Sequence, residues 1–187
     1  MNIDQILDNI YLLPEESKQT LKKYISEVRF PKGYIVIHAD RIEKNIYFIK
    51  QGIVRAYAKT GDNETTFWFG KEGDTAISMK SYVENAKGYE DIELLEESVL
   101  YELNIQNLHH LFEQDIHFAN WGRKLIEKEL IKTEEKLISQ QFLTAKERYI
   151  ELLKNRPDLM QRVQLGYIAS YLGITQVSLS RIRADIK

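Results

Sequence analysis

The sequence predicts an α+β chain: an N-terminal antiparallel β-roll, then one long helix, then an all-α end that carries a helix-turn-helix. Three observations predict it. Short runs rich in Ile, Val, Tyr, Phe and Thr fill residues 34–104. A wide apolar surface of helical period starts at Ile116. Finally, Leu165–Ile186 has the spacing of two short helices about a glycine turn.

The elements follow in order. Ile3 to Ile10 reads as a helix and Glu15 to Ile25 as a second, with Leu21 and Ile25 at the i, i+4 spacing of one buried face. After Pro31-Lys32-Gly33 come YIVIHA, IYFIK, GIVRAYAKT and ETTFWF, then DIELLEE and SVLYELN, separated by Asp, Asn, Lys and Gly. In the run from Ile53 to Lys59, Ile53, Arg55, Tyr57 and Lys59 share one face and Val54, Ala56 and Ala58 the other. A helix from Ile116 to Gln141 would be about 39 Å long. Phe118, Trp121 and Leu125 form one stripe on it, and Ile126, Leu130, Leu137 and Ile138 extend a second. The residues alone fit two arrangements equally: one stripe on the roll and the other on a partner helix, or both buried within one subunit. The division is 1–115 for the roll, 116–143 for the long helix and 144–187 for the helix-turn-helix domain.

Composition narrows the function classes. With 187 residues, 43% of them hydrophobic, the chain can bury one good core and a small second one. The absence of cysteine excludes disulfides, iron–sulfur clusters, thiolate zinc and cysteine nucleophiles. The net charge of −2 hides an asymmetry. Residues 1–115 hold 13 basic and 20 acidic side chains, residues 116–143 hold 5 and 4, and residues 144–187 hold 8 and 4, so the basic end is C-terminal. The first residues are acidic, without a basic stretch before an apolar core, and no run reaches the roughly 18 apolar residues of a membrane span, so a cytoplasmic location without membrane contact is expected.

In Leu165–Ile186, Ile168, Ala169 and Leu172 form the inner face of a first helix, Gly173 permits the turn and Thr175 caps a second helix. Leu179 and Ile182 then face inward. Gln176, Ser178, Arg181 and Arg183 are left on the outer face, the chemistry that a major-groove reader needs. The plainer alternative is a helical hairpin that packs on something else.

Three stretches in order carry a family resemblance: IYFIKQGIVRAY with its strand–Gly52–strand hairpin, followed by Gly73-Asp74 and LLEESVLYEL; TAKERYIELLKNRPDL from Thr144 to Leu159; and the helix-turn-helix. On these the chain resembles the Crp/Fnr transcription regulators over nearly its whole length. The resemblance implies a cyclic-nucleotide-binding-like roll as sensor and a long helix that makes a homodimer. It further implies recognition helices set in successive major grooves of a near-palindromic site on double-stranded DNA, with RNA polymerase as a possible further partner. The short segment NRPDLMQRVQLGY leaves little room for the β-hairpin wing of many members, so a wingless domain is expected.

The nucleotide-binding members follow a Gly-Glu pair with Arg-Ser/Thr-Ala, since a buried cyclic phosphate needs a guanidinium and hydroxyl or amide donors. Here Gly73-Asp74 keeps a pair of that type, but the Arg-Ser-Ala positions fall near Gly88, Tyr89 and Glu90. A carboxylate there repels phosphate. Lys87 would reach the place only if the loop shifted by one residue. Gly73, Asp74, Lys87 and Tyr89 thus mark a degenerate ligand pocket, with cyclic AMP disfavoured and the effector either unknown or absent. Of the four histidines, only His38 lies among the roll strands, and His109-His110 reads as a solvated or capping pair, so neither haem nor a metal site is expected. No cofactor is assigned.

No phosphate-cradling glycine loop, HExxH or GxSxG is present, so an enzyme is not expected. Arg181 is expected to read a guanine edge bidentately, with Gln176 and Ser178 adding base or phosphate contacts. Arg183 is expected on a phosphate, as are Thr175 and Tyr167 near the positive end of the recognition helix. The competing reading is a ligand-sensing or protein-interaction roll whose helical tail no longer binds DNA.

Overall fold

A computed structural model describes residues 1–61 and 63–186. The chain opens with α1 (Ile3–Ile10) and α2 (Glu15–Lys22). Eight strands follow: β1 (Ile25–Phe30), β2 (Ile35–Ile37), β3 (Asn45–Gln51), β4 (Val54–Thr60), β5 (Asn63–Gly70), β6 (Thr75–Ala76), β7 (Glu90–Leu94) and β8 (Ser98–Asn104). A short helix α3 (Met79–Glu84) sits between β6 and β7. After β8 come α4 (Ile105–Gln114), the long α5 (Ile116–Phe142), α6 (Ala145–Asn155), α7 (Pro157–Arg162), α8 (Leu165–Tyr171) and α9 (Gln176–Ile186).

The strands pair antiparallel in two four-stranded sheets, β1-β8-β3-β6 and β2-β7-β4-β5, which face each other as a roll. Val36, Ile37, Ile49, Val54, Ile92 and Leu100 fill the space between them. The other face of the first sheet carries Ile46, Phe48 and Leu103, and α1, α4 and the first half of α5 pack on it through Leu7, Leu108 and Trp121. Trp121 is fully buried and donates its indole N–H to the Leu7 carbonyl at 3.1 Å, which fixes the start of α5 against α1.

Three expectations need correction. Ile25 is not helical: α2 stops at Lys22, and the β-branched Ile25 opens β1 opposite Leu103 of β8. Gly52 does not join two paired strands. Its neighbours β3 and β4 belong to different sheets, so Gly52, at φ 125°, is the corner where the chain crosses between them. A Cβ there would meet the Ser98 hydroxyl at 2.2 Å, so glycine is required by space as well. The segment Thr144–Leu159 is two helices and not one, because Pro157 starts a new helix after Arg156 leaves helical geometry. A further helix that the sequence reading did not assign, α4, precedes the long helix, capped by the Asn104 side chain on the Gln106 and Asn107 amides. The long helix itself runs one residue past Gln141, and no strand follows β8 among the described residues.

Candidate nucleic-acid interface and ligand cleft

The C-terminal end is built around a small core of its own. Leu152, Leu159, Ile168, Ala169, Leu172 and Leu179 are buried together, and Ile53, Phe69 and Leu95 of the roll join the same cluster. Between α8 and α9 the chain turns at Gly173, φ 70°, a conformation that costs a side-chain-bearing residue about 1 kcal/mol or more. Thr175 accepts the Ser178 amide on its hydroxyl at 3.2 Å and so caps α9. α6 starts on a full capping box, Thr144 with Glu147.

On the outer face Gln176 and Arg181 are exposed, and Ser178 and Arg183 are half-buried. Neither Arg181 nor Arg183 makes an ion pair among the described residues. Thr175 stands at the start of α9, exposed, with its hydroxyl shared between the Ser178 amide and, at 3.0 Å, the Ser178 hydroxyl. Tyr167 lies elsewhere. Its ring packs on the roll, 3.8 Å below the guanidinium of Arg55, which on its other side is 4.0 Å from the Tyr57 ring.

That contact belongs to a polar seam between the two domains. Arg55 is 1% exposed and pairs with Glu64 on β5. Ser170 of α8 takes the Thr66 amide at 2.9 Å and gives its own hydroxyl to the Glu64 carbonyl at 3.2 Å. Arg156 donates to the Phe69 carbonyl at 3.2 Å. Arg162 binds Glu72 at 2.8 Å and also pairs with Glu96. Burial works to raise the Glu72 carboxyl, but Arg162 and the Gly52 amide outweigh it and hold the group at about 2. Sequence reasoning missed Arg55 and Ser170 as docking residues. The one available signal was an arginine set between Val54 and Ala56 in the otherwise uncharged run from Ile53 to Ala58.

A cleft of about 690 Å³ lies between the roll, α5 and α6. Of the four residues expected at a pocket, Asp74 and Tyr89 line it. Asp74 is engaged by Lys132 of α5 at 3.0 Å and by the Lys71 amide. Gly73 instead makes the turn before β6, at φ 94°, and Lys87 is exposed outside the lining. At the positions where a cyclic phosphate would need Arg-Ser-Ala, Glu90 is buried and accepts the Tyr89 amide at 3.0 Å. Across the cleft, Lys136 donates to the Tyr171 carbonyl at 2.9 Å, and burial with the nearby Arg148 pulls its amine down to about 8.

Residues 27–115 match the cyclic nucleotide-binding domain family. FixK2 from Bradyrhizobium japonicum superposes with a TM-score of 0.74 at 18% identity, over 87% of this chain and 84% of that one. The chain has the Crp/Fnr fold. A putative transcriptional regulator of the Crp/Fnr family from Eubacterium rectale gives 0.74 at 14% identity, over 93% and 85%. CLP of Xanthomonas campestris, a global regulator responsive to c-di-GMP, gives 0.71 at 18% identity, over 92% and 91%. No curated protein sequence matches the chain.

Within this Crp/Fnr architecture the two stripes of α5 part company. Phe118, Trp121 and Leu125 lie on the roll, and Ile126, expected on the second stripe, packs against the same core. Leu130, Leu137 and Ile138 of that stripe, together with Ile131, are each at least 50% exposed along the second half of the helix. No helix among the described residues is long and apolar enough to cross a membrane.

Proposed function

We propose that this protein is a transcription regulator that binds a near-palindromic DNA site as a homodimer, without control by cyclic AMP. The observation that carries the reading is the recognition helix. A turned and capped α8–α9 unit presents Gln176 and Arg181 outward, with no partner among the described residues, from the most basic segment of the chain. The Leu130–Ile138 stripe supports the dimer, since an apolar stripe on an otherwise charged helix is stable in water when a second helix covers it. The buried Glu90 supports independence from cyclic AMP, because it stands where a phosphate would need donors.

The test is selection of bound sequences from a random DNA pool by ligand-free protein at about 100 mM salt, where phosphate contacts are not overweighted. A palindrome with half-sites about one helical turn apart is expected. Failure to enrich any sequence, with or without candidate effectors, would turn the reading toward a protein-interaction roll.

A further inference from the structure

Glu90 is a buried carboxylate without a counter-charge. It lies on β7 opposite the small Ala58 of β4, 4% exposed, and no lysine or arginine pairs with it among the described residues. Its recorded hydrogen bond comes from the adjacent Tyr89 amide. Such a charge costs several kcal/mol unless something balances it. Beside it, Ser78 is 1% exposed and its hydroxyl has no partner among the described residues. A Cβ on Gly88 would stand 2.5 Å from that hydroxyl and 3.1 Å from a Glu90 oxygen, so only a glycine fits against the two oxygens, and no side chain at position 88 covers the carboxylate.

Aromatic rings stand on the cleft that Glu90 lines. Phe67 and Tyr89 line the cleft with Glu90, their centroids 6.1 Å apart, and both rings are exposed. Phe67 is aimed there by a bulge. The β4–β5 register jumps from Ala56 opposite Trp68 to Tyr57 opposite Thr66, leaving Phe67 unpaired. The cations elsewhere on the lining are engaged: Lys132 with Asp74, Lys71 and Arg156 with Asp158, and Lys136 and Arg148 with backbone carbonyls. None of them neutralises Glu90.

We propose that the cleft beside the roll receives a small organic ammonium ion, with Glu90 as its counter-ion and Phe67 and Tyr89 as cation–π walls. The charge preference is the inverse of a phosphate site. The site stands whether or not the chain binds DNA, because every group in it belongs to the roll.

The experiment is calorimetric titration of the full chain, with Trp68 fluorescence as a second readout, since Trp68 also lines the cleft. The probes are phenethylammonium, its neutral match 2-phenylethanol, its anionic match 3-phenylpropionate, and cyclic AMP. Phenethylammonium is expected to bind at least about tenfold more tightly than the other three. Glu90→Gln is expected to remove that preference while melting no lower than the wild type, because it keeps the shape and deletes an unpaired charge. Phe67→Ala is expected to weaken the amine alone. The proposal is overturned if the carboxylate or cyclic AMP binds as well as the amine, if Glu90→Gln leaves amine binding unchanged, or if no amine binding occurs up to about 10 mM.

Discussion

Arg55 of the roll and Tyr167 of the first helix-turn-helix helix lie face to face, the guanidinium carbon 3.8 Å from the ring centroid. The pair joins two domains that the chain connects covalently only through α5. An arginine on an aromatic face contributes about 0.5–2 kcal/mol depending on desolvation, and Arg55 is almost fully desolvated. Arg55→Met and Tyr167→Ala, made singly and together, are therefore expected to show a coupling of about 1–2 kcal/mol in urea unfolding. Strictly additive costs would mean that the contact does not hold the domains together.

The two arginines of α9 are expected to separate by readout. Arg181→Ala should relax preference at one base position per half-site by about 1–3 kcal/mol, measured on a panel of base-substituted sites. Arg183→Ala should weaken all sites alike and reduce the salt slope by about one unit. A uniform loss from Arg181→Ala would reassign it to the phosphates.

The exposed stripe of α5 predicts an assembly defect. Leu137→Glu puts a charge at the middle of the stripe and is expected to shift the protein from dimer to monomer in sedimentation at micromolar concentration, with its thermal midpoint largely retained. Palindromic-site affinity should fall toward that of a half-site. A dimer that survives both Leu137→Glu and Leu130→Glu would place the interface elsewhere.

The Glu72–Arg162 bridge predicts an acid response. Glu72 is held at about 2 in the folded chain against about 4.3 when unfolded, so the unfolded state takes up its proton first as pH falls. The stability it contributes is complete above about pH 4.3 and declines toward about pH 2. Urea unfolding of the wild type and Glu72→Gln should thus differ most at neutral pH and converge in acid. A gap that stays constant through that window would leave the bridge without a role in docking.

The sequence made the repeating features legible. Runs rich in β-branched and aromatic residues located β2, β3, β4, β5, β7 and β8, and helical period together with Gly173 and Thr175 located α8 and α9. What stayed hidden depends on partners far along the chain. Ile25 satisfies a helical spacing with Leu21, and pairing with Leu103, 78 positions later, makes it a strand residue. Tyr167 reads in the sequence as a phosphate contact, and its neighbour Arg55 is visible only once β4 and α8 are brought together. Glu90 was read as an obstacle to phosphate. Its isolation from any cation, and the aromatic rings around it, required the folded roll.

Ser170 has a further effect on the roll. β5 is the outermost strand of its sheet, and Ser170 takes up the Thr66 amide and the Glu64 carbonyl that have no neighbouring strand to receive them. The C-terminal helical end thus also serves as an edge guard. A roll shortened to residues 1–143 would present β5 as an open template for pairing with other chains. The C-terminal helices would then be needed for the solubility of the roll, quite apart from any contact with a nucleic acid.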